Sequence, residues 1–383
     1  MSDQLFPPDS LAQPNVGVFS LDEALPRSST LIEASAGTGK TFTLTHLAAN
    51  FIERDALPIS QLLLVTYTRA AAGELRDRLR RVLRERAETS TDNDAGMRLR
   101  IAVEEFDTAT ITTIHGFCQQ VLTTLGVNVP LDPAMKLLAD EETLITQIAA
   151  DLLAGQALAE STADGQLPKL AKLTEAIRMG STHPGIVVAG HPDEPEHNRL
   201  AQLTADGLDE LDRRLAARSL MTYQQLLNRV AAAVNGPKNS GVVDILRRRF
   251  RVALIDEFQD TDPVQWEVFR LLFAGSDGPD SPTLVLVGDP KQAIYSFRGA
   301  DIATYLNAKQ AVTRQNRLDR NWRSTPQLIA ALNSLFAGSR FGSSPDGTHT
   351  IDYDPVIAAR KHDAAVPGHQ ALKIRSFDMA AYH

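Results

Sequence analysis

The stretch Leu31–Leu44 reads LIEASAGTGKTFTL. An apolar run gives way to the small residues Ala34, Ser35, Ala36, Gly37, Thr38 and Gly39, and Lys40 and Thr41 then open a segment of helical character. Strand, glycine loop and helix in direct succession make an anion cradle. Glycines let backbone N–H groups turn inward around phosphate oxygens, and the helix N-terminus adds partial positive charge. The pattern is G-x-x-x-x-G-K-[ST], with Ala34 where the first glycine usually stands. Residues 34–41 are therefore expected to hold a nucleoside triphosphate such as ATP, with Lys40 on the β- and γ-phosphates and the Thr41 hydroxyl on Mg2+.

Working outward, the same alternation recurs. LLLVT (Leu62–Thr66), ATITTI (Ala109–Ile114), VALID (Val252–Asp256) and TLVLVGD (Thr283–Asp289) read as short apolar strands, each followed by helical sequence. Strands alternating with helices predict an α/β fold, a P-loop parallel sheet with helices on both faces. The interval from Gly126 to Asp244 is helical in pattern but broken by STHPGIVVAGHPDEPEH, and reads as a mostly α-helical insertion with a mobile middle. Residues 1–29, rich in Pro, Ser and Asp, read as an irregular lead-in.

Two further motifs carry chemistry. In VALIDEFQDTDP a strand ends in two acids. A carboxylate at the C-terminal edge of a parallel sheet stands where such folds expose chemistry. Asp256 is expected to hold magnesium, and Glu257 to orient and deprotonate an attacking water. In LVGDPKQAIYSFRGAD, Gln292 can hydrogen-bond a γ-phosphate and link its presence to Tyr295, Phe297 and Arg298. Aromatic rings beside an arginine suit the stacking of unpaired bases; Tyr295 and Phe297 fit a place in the core equally well.

The chain has 383 residues, 43% of them hydrophobic, enough for two or three domains. The N-terminus lacks the basic and apolar regions of a secretory signal, and no run approaches the ~18 apolar residues of a membrane span. The single cysteine, Cys118, excludes an internal disulfide framework and a multi-cysteine metal site. A cytoplasmic setting with no membrane partner is expected. The net charge of −8 argues against nucleic acid on average, yet arginines cluster at Arg69–Arg86, at RRRFR (Arg247–Arg251) and at Arg314–Arg323. Such clusters are solvated helix faces or a phosphate-contacting path.

The blocks EASAGTGKT, LLLVTYTRAAAGELRDRLR, ITTIHGFC, LIDEFQDTDPVQW, LVGDPKQAIYSFRGAD and LDRNWRSTPQLI occur in the order found in superfamily 1 helicases of the UvrD type. The wording of EASAGTGKT, TIHGFC and GDPKQAIYSFRGAD resembles the RecB branch, the β subunit of exodeoxyribonuclease V, over Leu31–Phe336. The resemblance implies a RecA-like ATP-binding lobe at 30–125 and 245–315, an insertion at 126–244, and an incomplete second RecA-like lobe at 316–383. It places Thr66, Tyr67, Arg69, Thr113 and His115 on single-stranded DNA, although His115 also reads as a helix-capping or core histidine. It puts Trp322 beside adenine and Arg323 on the γ-phosphate, a role suited to a planar, permanently charged fork. Phe297 stands where relatives often carry tryptophan.

The implied activity is ATP-dependent 3′→5′ translocation on DNA in double-strand break repair and recombination. The implied partners are single strands, duplex ends, and RecC- and RecD-like subunits. The chain ends 47 residues after Phe336, before the late helicase motifs and the nuclease constellation. The expectation is thus the N-terminal part of a longer or split RecB-like protein, with hydrolysis and unwinding weakened and no nuclease. The competing readings are a non-catalytic nucleotide- and DNA-binding remnant and an AddA- or UvrD-type helicase fragment.

Overall fold

The computed structural model describes residues 16–125, 135–138, 140–159, 167–182, 189–190, 194–235, 240–274, 281–293, 302–343, 350–361 and 372–373. In chain order, β1 (Gly17–Val18) and β2 (Thr30–Ala34) lead to α1 (Lys40–Asp55). Next come β3 (Leu62–Thr66), α2 (Arg69–Thr89), α3 (Asn93–Glu104), β4 (Thr110–Thr113) and α4 (Ile114–Leu125). Then follow β5 (Lys136–Leu137), α5 (Glu141–Ala159), α6 (Leu170–Thr182), α7 (Pro195–Ala217), β6 (Leu220–Met221), α8 (Tyr223–Asn235) and α9 (Ser240–Arg249). The chain returns through β7 (Val252–Ile255), α10 (Pro263–Phe273), β8 (Thr283–Gly288), α11 (Ile302–Ala311) and β9 (Arg314–Leu318). Beyond it lie β10 (Arg320–Asn321), α12 (Pro326–Phe336), β11 (Arg340–Ser343), β12 (Thr350–Asp352) and β13 (Ile357–Ala358).

Seven strands form one all-parallel sheet in the order β1-β9-β2-β8-β7-β3-β4. Its central strands are apolar at almost every position because both faces are covered. Side chains alternate between the faces. Ile32, Leu62, Leu64, Leu254, Val285 and Val287 pack with Leu44, Phe51, Leu79 and Leu99 of α1–α3. Leu31, Leu63, Val65, Ala253, Ile255 and Leu286 pack instead with Phe117, Val230, Leu246, Phe269 and Tyr305 of α4 and α8–α11. This is the RecA-like α/β architecture expected from the sequence.

Register aligns the strand ends. Glu33 pairs with Gly288, Ile255 with Leu286, Val65 with Ile255, and Thr66 with Thr113. Residues 34–40, 66–69, 113–115, 256–260 and 288–292 therefore emerge along one rim, the carboxyl edge where open α/β sheets bind ligands.

The interval expected as one insertion at 126–244 divides by packing. Helices α5–α7 share a core of their own, built from Leu144, Ile145, Ile148, Leu173, Ile177, Leu203, Leu211 and Leu215. Helices α8 and α9 bury Leu226, Leu227, Val230, Val242 and Leu246 in the core beneath the sheet, so they belong to the sheet's layer rather than to the insertion. Their apolar spacing matched the helices before them, and periodicity does not say which partner a helix covers. Of the segment expected to be mobile, 181–197, residues 183–188 and 191–193 lie outside the described residues, while 181–182 end α6 and 195–197 begin α7. Near the start of the chain, β1 pairs with β9 and Leu25 is buried, so part of the expected irregular lead-in is fixed to the sheet. Among the described residues no helix is long and apolar enough to cross a membrane.

Candidate active site

The loop between β2 and α1 turns on two glycines in the left-handed region, Gly37 at φ 81° and Gly39 at φ 93°. That conformation costs a side-chain-bearing residue about 1–2 kcal/mol. Gly37 is also enclosed. A Cβ there would lie 2.9 Å from both Arg323 Cβ and Asn321 Nδ2. Thr38 donates its hydroxyl to the Ser35 carbonyl at 2.7 Å, closing the loop on itself.

Lys40 is the first residue of α1, and its ammonium lies 2.8 Å from Glu257 Oε2. The two residues are 217 positions apart, and the strand register described above brings them together. Glu257 follows β7 in a left-handed conformation, φ 50° and ψ 44°. Such backbone strain in a non-glycine residue concentrates at functional positions. Thr41 follows Lys40 in the first turn of α1 and is half-buried.

Asp256 is buried beside them. Its backbone N–H donates to the Val65 carbonyl at 2.8 Å, and its Oδ2 accepts from the Thr66 hydroxyl at 3.4 Å. Its other oxygen, Oδ1, has no protein partner, and neither has Asp260 Oδ1. Burial, followed by the charge of Glu257, pushes the Asp256 carboxyl up to about 7 and that of Asp260 up to about 6. A buried acid with an orphaned oxygen, next to a second acid, suits a divalent cation better than it suits an empty pocket.

Behind the acids, Gln259 donates to Glu257 Oε2 at 2.8 Å and accepts from the Asp289 backbone N–H at 2.9 Å. Asp289 in turn accepts from Gln292 Nε2 at 2.6 Å and pairs with Lys291 Nζ at 3.1 Å. Gln292 thus reaches the acidic cluster through Asp289. Tyr295, Phe297 and Arg298 lie outside the described residues.

On the other flank, the 320–323 segment is stitched to the phosphate loop. Asn321 Nδ2 donates to the Ala36 carbonyl and the Trp322 N–H to the Gly37 carbonyl, both at 2.8 Å. Asn321 Oδ1 accepts from the N–H groups of Arg323 and Ser324 at 3.0 and 2.9 Å. Trp322 and Phe42 flank Gly39 and are 60% and 56% exposed, and one face of Phe42 is stacked on His46 at a centroid separation of 3.9 Å, which leaves the Trp322 ring and the other Phe42 face open to a planar group. Asn321 and Phe42 were not singled out from the sequence. The signal for Phe42 was an apolar residue at a helix position that the core does not use; Asn321 gave none.

A separate cavity of about 500 Å³ opens at the ends of β3 and β4, lined by Tyr67, Arg69, Arg76, Thr113, His115 and Tyr223 among others. His115 stacks edge-to-face on Tyr223 at 4.6 Å, and burial lowers its pKa, favouring a neutral ring. Thr66, expected on the DNA track, is 1% exposed at the end of β3, with its hydroxyl 3.4 Å from Asp256 Oδ2.

The arginine clusters are also less available than the sequence suggested. Arg78 pairs with Glu74, Arg80 with Asp107 and Arg86 with Glu53. Arg76 donates to the Ile111 carbonyl, Arg247 to the carbonyls of Leu271 and Leu272, and Arg249 to the Thr124 hydroxyl. Arg69 stays exposed at the cavity rim.

Most of the chain is similar to known proteins. The chain is 37% identical over 354 residues to the RecBCD enzyme subunit RecB of Mycolicibacterium smegmatis, covering 85% of this chain and 31% of that protein. It is 33% identical to the subunit of the same name from Mycobacterium tuberculosis, covering 90% of this chain and 36% of that protein. To the Escherichia coli RecB subunit it is 28% identical, covering 87% and 40%. The chain thus spans about a third of the length of these curated relatives. The UvrD/REP helicase N-terminal domain is matched across residues 22–313, and with that match spanning both the phosphate loop and the acidic pair, the chain belongs to the UvrD/REP helicase family.

Proposed function

We propose that this chain is the ATP-hydrolysing front part of a RecB-like DNA translocase. The observation that carries the reading is the meeting of Lys40 and Glu257 at 2.8 Å beside the orphaned Oδ1 of Asp256. Residues 34–41 wrap the phosphates of ATP, with Lys40 on the β- and γ-phosphates. Trp322, and the face of Phe42 turned away from His46, offer stacking surface to the base, and Arg323, whose Cβ abuts the Gly37 turn, reaches toward the γ-phosphate. Thr41 and Asp256 would hold Mg2+, which supplies neutralising charge to the phosphate oxygens.

Glu257 orients the attacking water and accepts its proton once phosphate has drawn Lys40 away. Lys40 and Glu257 pair at 2.8 Å, so a phosphate that takes up Lys40 would release the base. Gln292, linked through Asp289, reads the γ-phosphate from the far side. Tyr67, Arg69, Thr113 and His115 border the cavity for single-stranded DNA, with Tyr223 as a further stacking surface. The relatives are named as subunits of a RecBCD enzyme, which supports RecC- and RecD-like partners; action in double-strand break repair in the cytoplasm, with 3′→5′ travel, completes the reading.

The test is ATP turnover with and without oligothymidylate. The wild-type chain should show turnover that the oligonucleotide raises. Glu257→Gln should lose about a hundredfold or more in kcat, and Arg69→Glu should weaken the stimulation. Equal turnover in wild type and Glu257→Gln would overturn the assignment of the base.

A further inference from the structure

Phe42 stands exposed in the first turn of α1, yet one of its faces is already covered. His46 lies four residues on, a spacing that brings side chains together along a helix. The two rings stack with 3.9 Å between centroids and 29° between planes. The imidazole is held from behind. Arg86, in the last turn of α2, places its Nη2 2.9 Å from His46 Nδ1. A guanidinium can only donate, so Nδ1 accepts and the ring proton sits on Nε2. Burial, followed by the charge of Arg86, lowers the His46 pKa and favours the neutral ring that this bond needs.

Arg86 is itself fixed. Its Nη1 donates to Asn50 Oδ1 and to Glu53 Oε2, both at 2.7 Å. The buried Asn50 in turn donates its Nδ2 to the Leu21 carbonyl at 3.0 Å. Residues 42, 46, 50 and 53 thus form one stripe along α1, and an arginine from α2 ties three of them together. The stripe ends beside the phosphate loop, where Phe42 and Trp322 flank Gly39. Covering one face of a ring that stays largely exposed adds little to the core, but it fixes which way that ring faces. An unsupported ring on a helix surface has other rotamers to populate, and ordering it on binding costs affinity.

We propose that His46, anchored by Arg86, is a positioning residue that presets the Phe42 ring as a wall on which the base of ATP stacks. This rests on the reading above of the phosphate loop as an ATP site with Phe42 beside the base. Its effect is confined to the base half of the ligand, because the phosphates are held by other groups.

The experiment measures, by calorimetry on the full chain, the affinities of two magnesium complexes, one of a non-hydrolysable ATP analogue and one of tripolyphosphate. Wild type is compared with His46→Ala, which removes the ring. His46→Gln keeps an acceptor for Arg86 without a ring, and His46→Phe keeps a ring without that acceptor.

His46→Ala and His46→Gln should weaken the analogue about three- to tenfold and leave tripolyphosphate close to its wild-type affinity. His46→Phe should bind the analogue more tightly than either. A role confined to stability would lower Tm, or weaken both ligands alike, and would not favour the ring. Unchanged analogue affinity in folded His46→Ala overturns the proposal, as does equal weakening of analogue and tripolyphosphate. Phe42→Ala separates the two levels. If it binds the analogue as tightly as wild type, the base does not stack on Phe42, and the base-site reading falls together with the proposal. If it weakens the analogue while His46→Ala does not, the proposal alone falls.

Discussion

Lys40 and Glu257 each keep the other's charge compensated in a site that is otherwise short of cations. Asp256 is relieved only in part by the charge of Lys40. Its carboxyl, raised to about 7 chiefly by burial, is protonated in the native chain over a range where the unfolded chain ionises it. The native state then binds more protons than the unfolded state, so stability falls as pH rises from the ordinary aspartate range through about 7. Asp256→Asn should remove this slope and leave the chain more stable than wild type at about pH 8, with little difference near pH 4. At about 1.4 kcal/mol per pKa unit the gain is on the order of a few kcal/mol. Thermal melts across pH check it, and parallel wild-type and Asn curves would contradict it. The same asparagine should cost magnesium-dependent nucleotide affinity, since the orphaned oxygen loses its charge.

At the scale of elements, the phosphate loop and the 320–323 segment behave as one unit. Gly37 can occupy its left-handed position only without a Cβ, and a methyl there would press on Asn321 and Arg323. Gly37→Ala should therefore lower stability by about 1–3 kcal/mol and weaken nucleotide binding. Asn321→Ala should leave the fold intact but release Trp322 and Arg323 from the loop, raising KM for ATP. Denaturant titration beside ATPase kinetics separates the two, and a Gly37→Ala chain as stable as wild type would contradict the enclosure.

These elements also show what the sequence could and could not reveal. β2, β3, β7 and β8 were legible because their apolar runs are short and followed by glycine or acid at the functional rim. Lys40, Asp256 and Glu257 were legible from local motifs alone. Asn321, Gln259 and Tyr223 were not, because their importance comes from partners between 30 and 285 residues away, or about a hundred for Tyr223 and His115. The burial of Thr66 beside Asp256 was not legible, because a strand's last residue points to one face or the other according to register.

At the scale of the whole molecule, α5–α7 leave the sheet domain and return to it at neighbouring points. β5 and β6 pair in parallel, with Lys136 opposite Leu220 and Leu137 opposite Met221. A helical unit with its own core, entered and left side by side, is separable. Replacing residues 140–217 with a short Gly/Ser linker should give a folded chain that still binds nucleotide, because α8 and α9 stay behind to cover the sheet. Loss of cooperative unfolding in the shortened chain would show that the insertion is part of the lobe's stability.

The claim on which the account turns is that Lys40 exchanges Glu257 for phosphate. Equilibrium titration of a fluorescent ATP analogue with magnesium into wild type, Lys40→Ala and Glu257→Gln tests it most directly. Loss of the ammonium should weaken binding about tenfold to a hundredfold, whereas Glu257→Gln, by removing the competitor for Lys40, should bind at least as tightly as wild type. Equal affinity in all three proteins would contradict it.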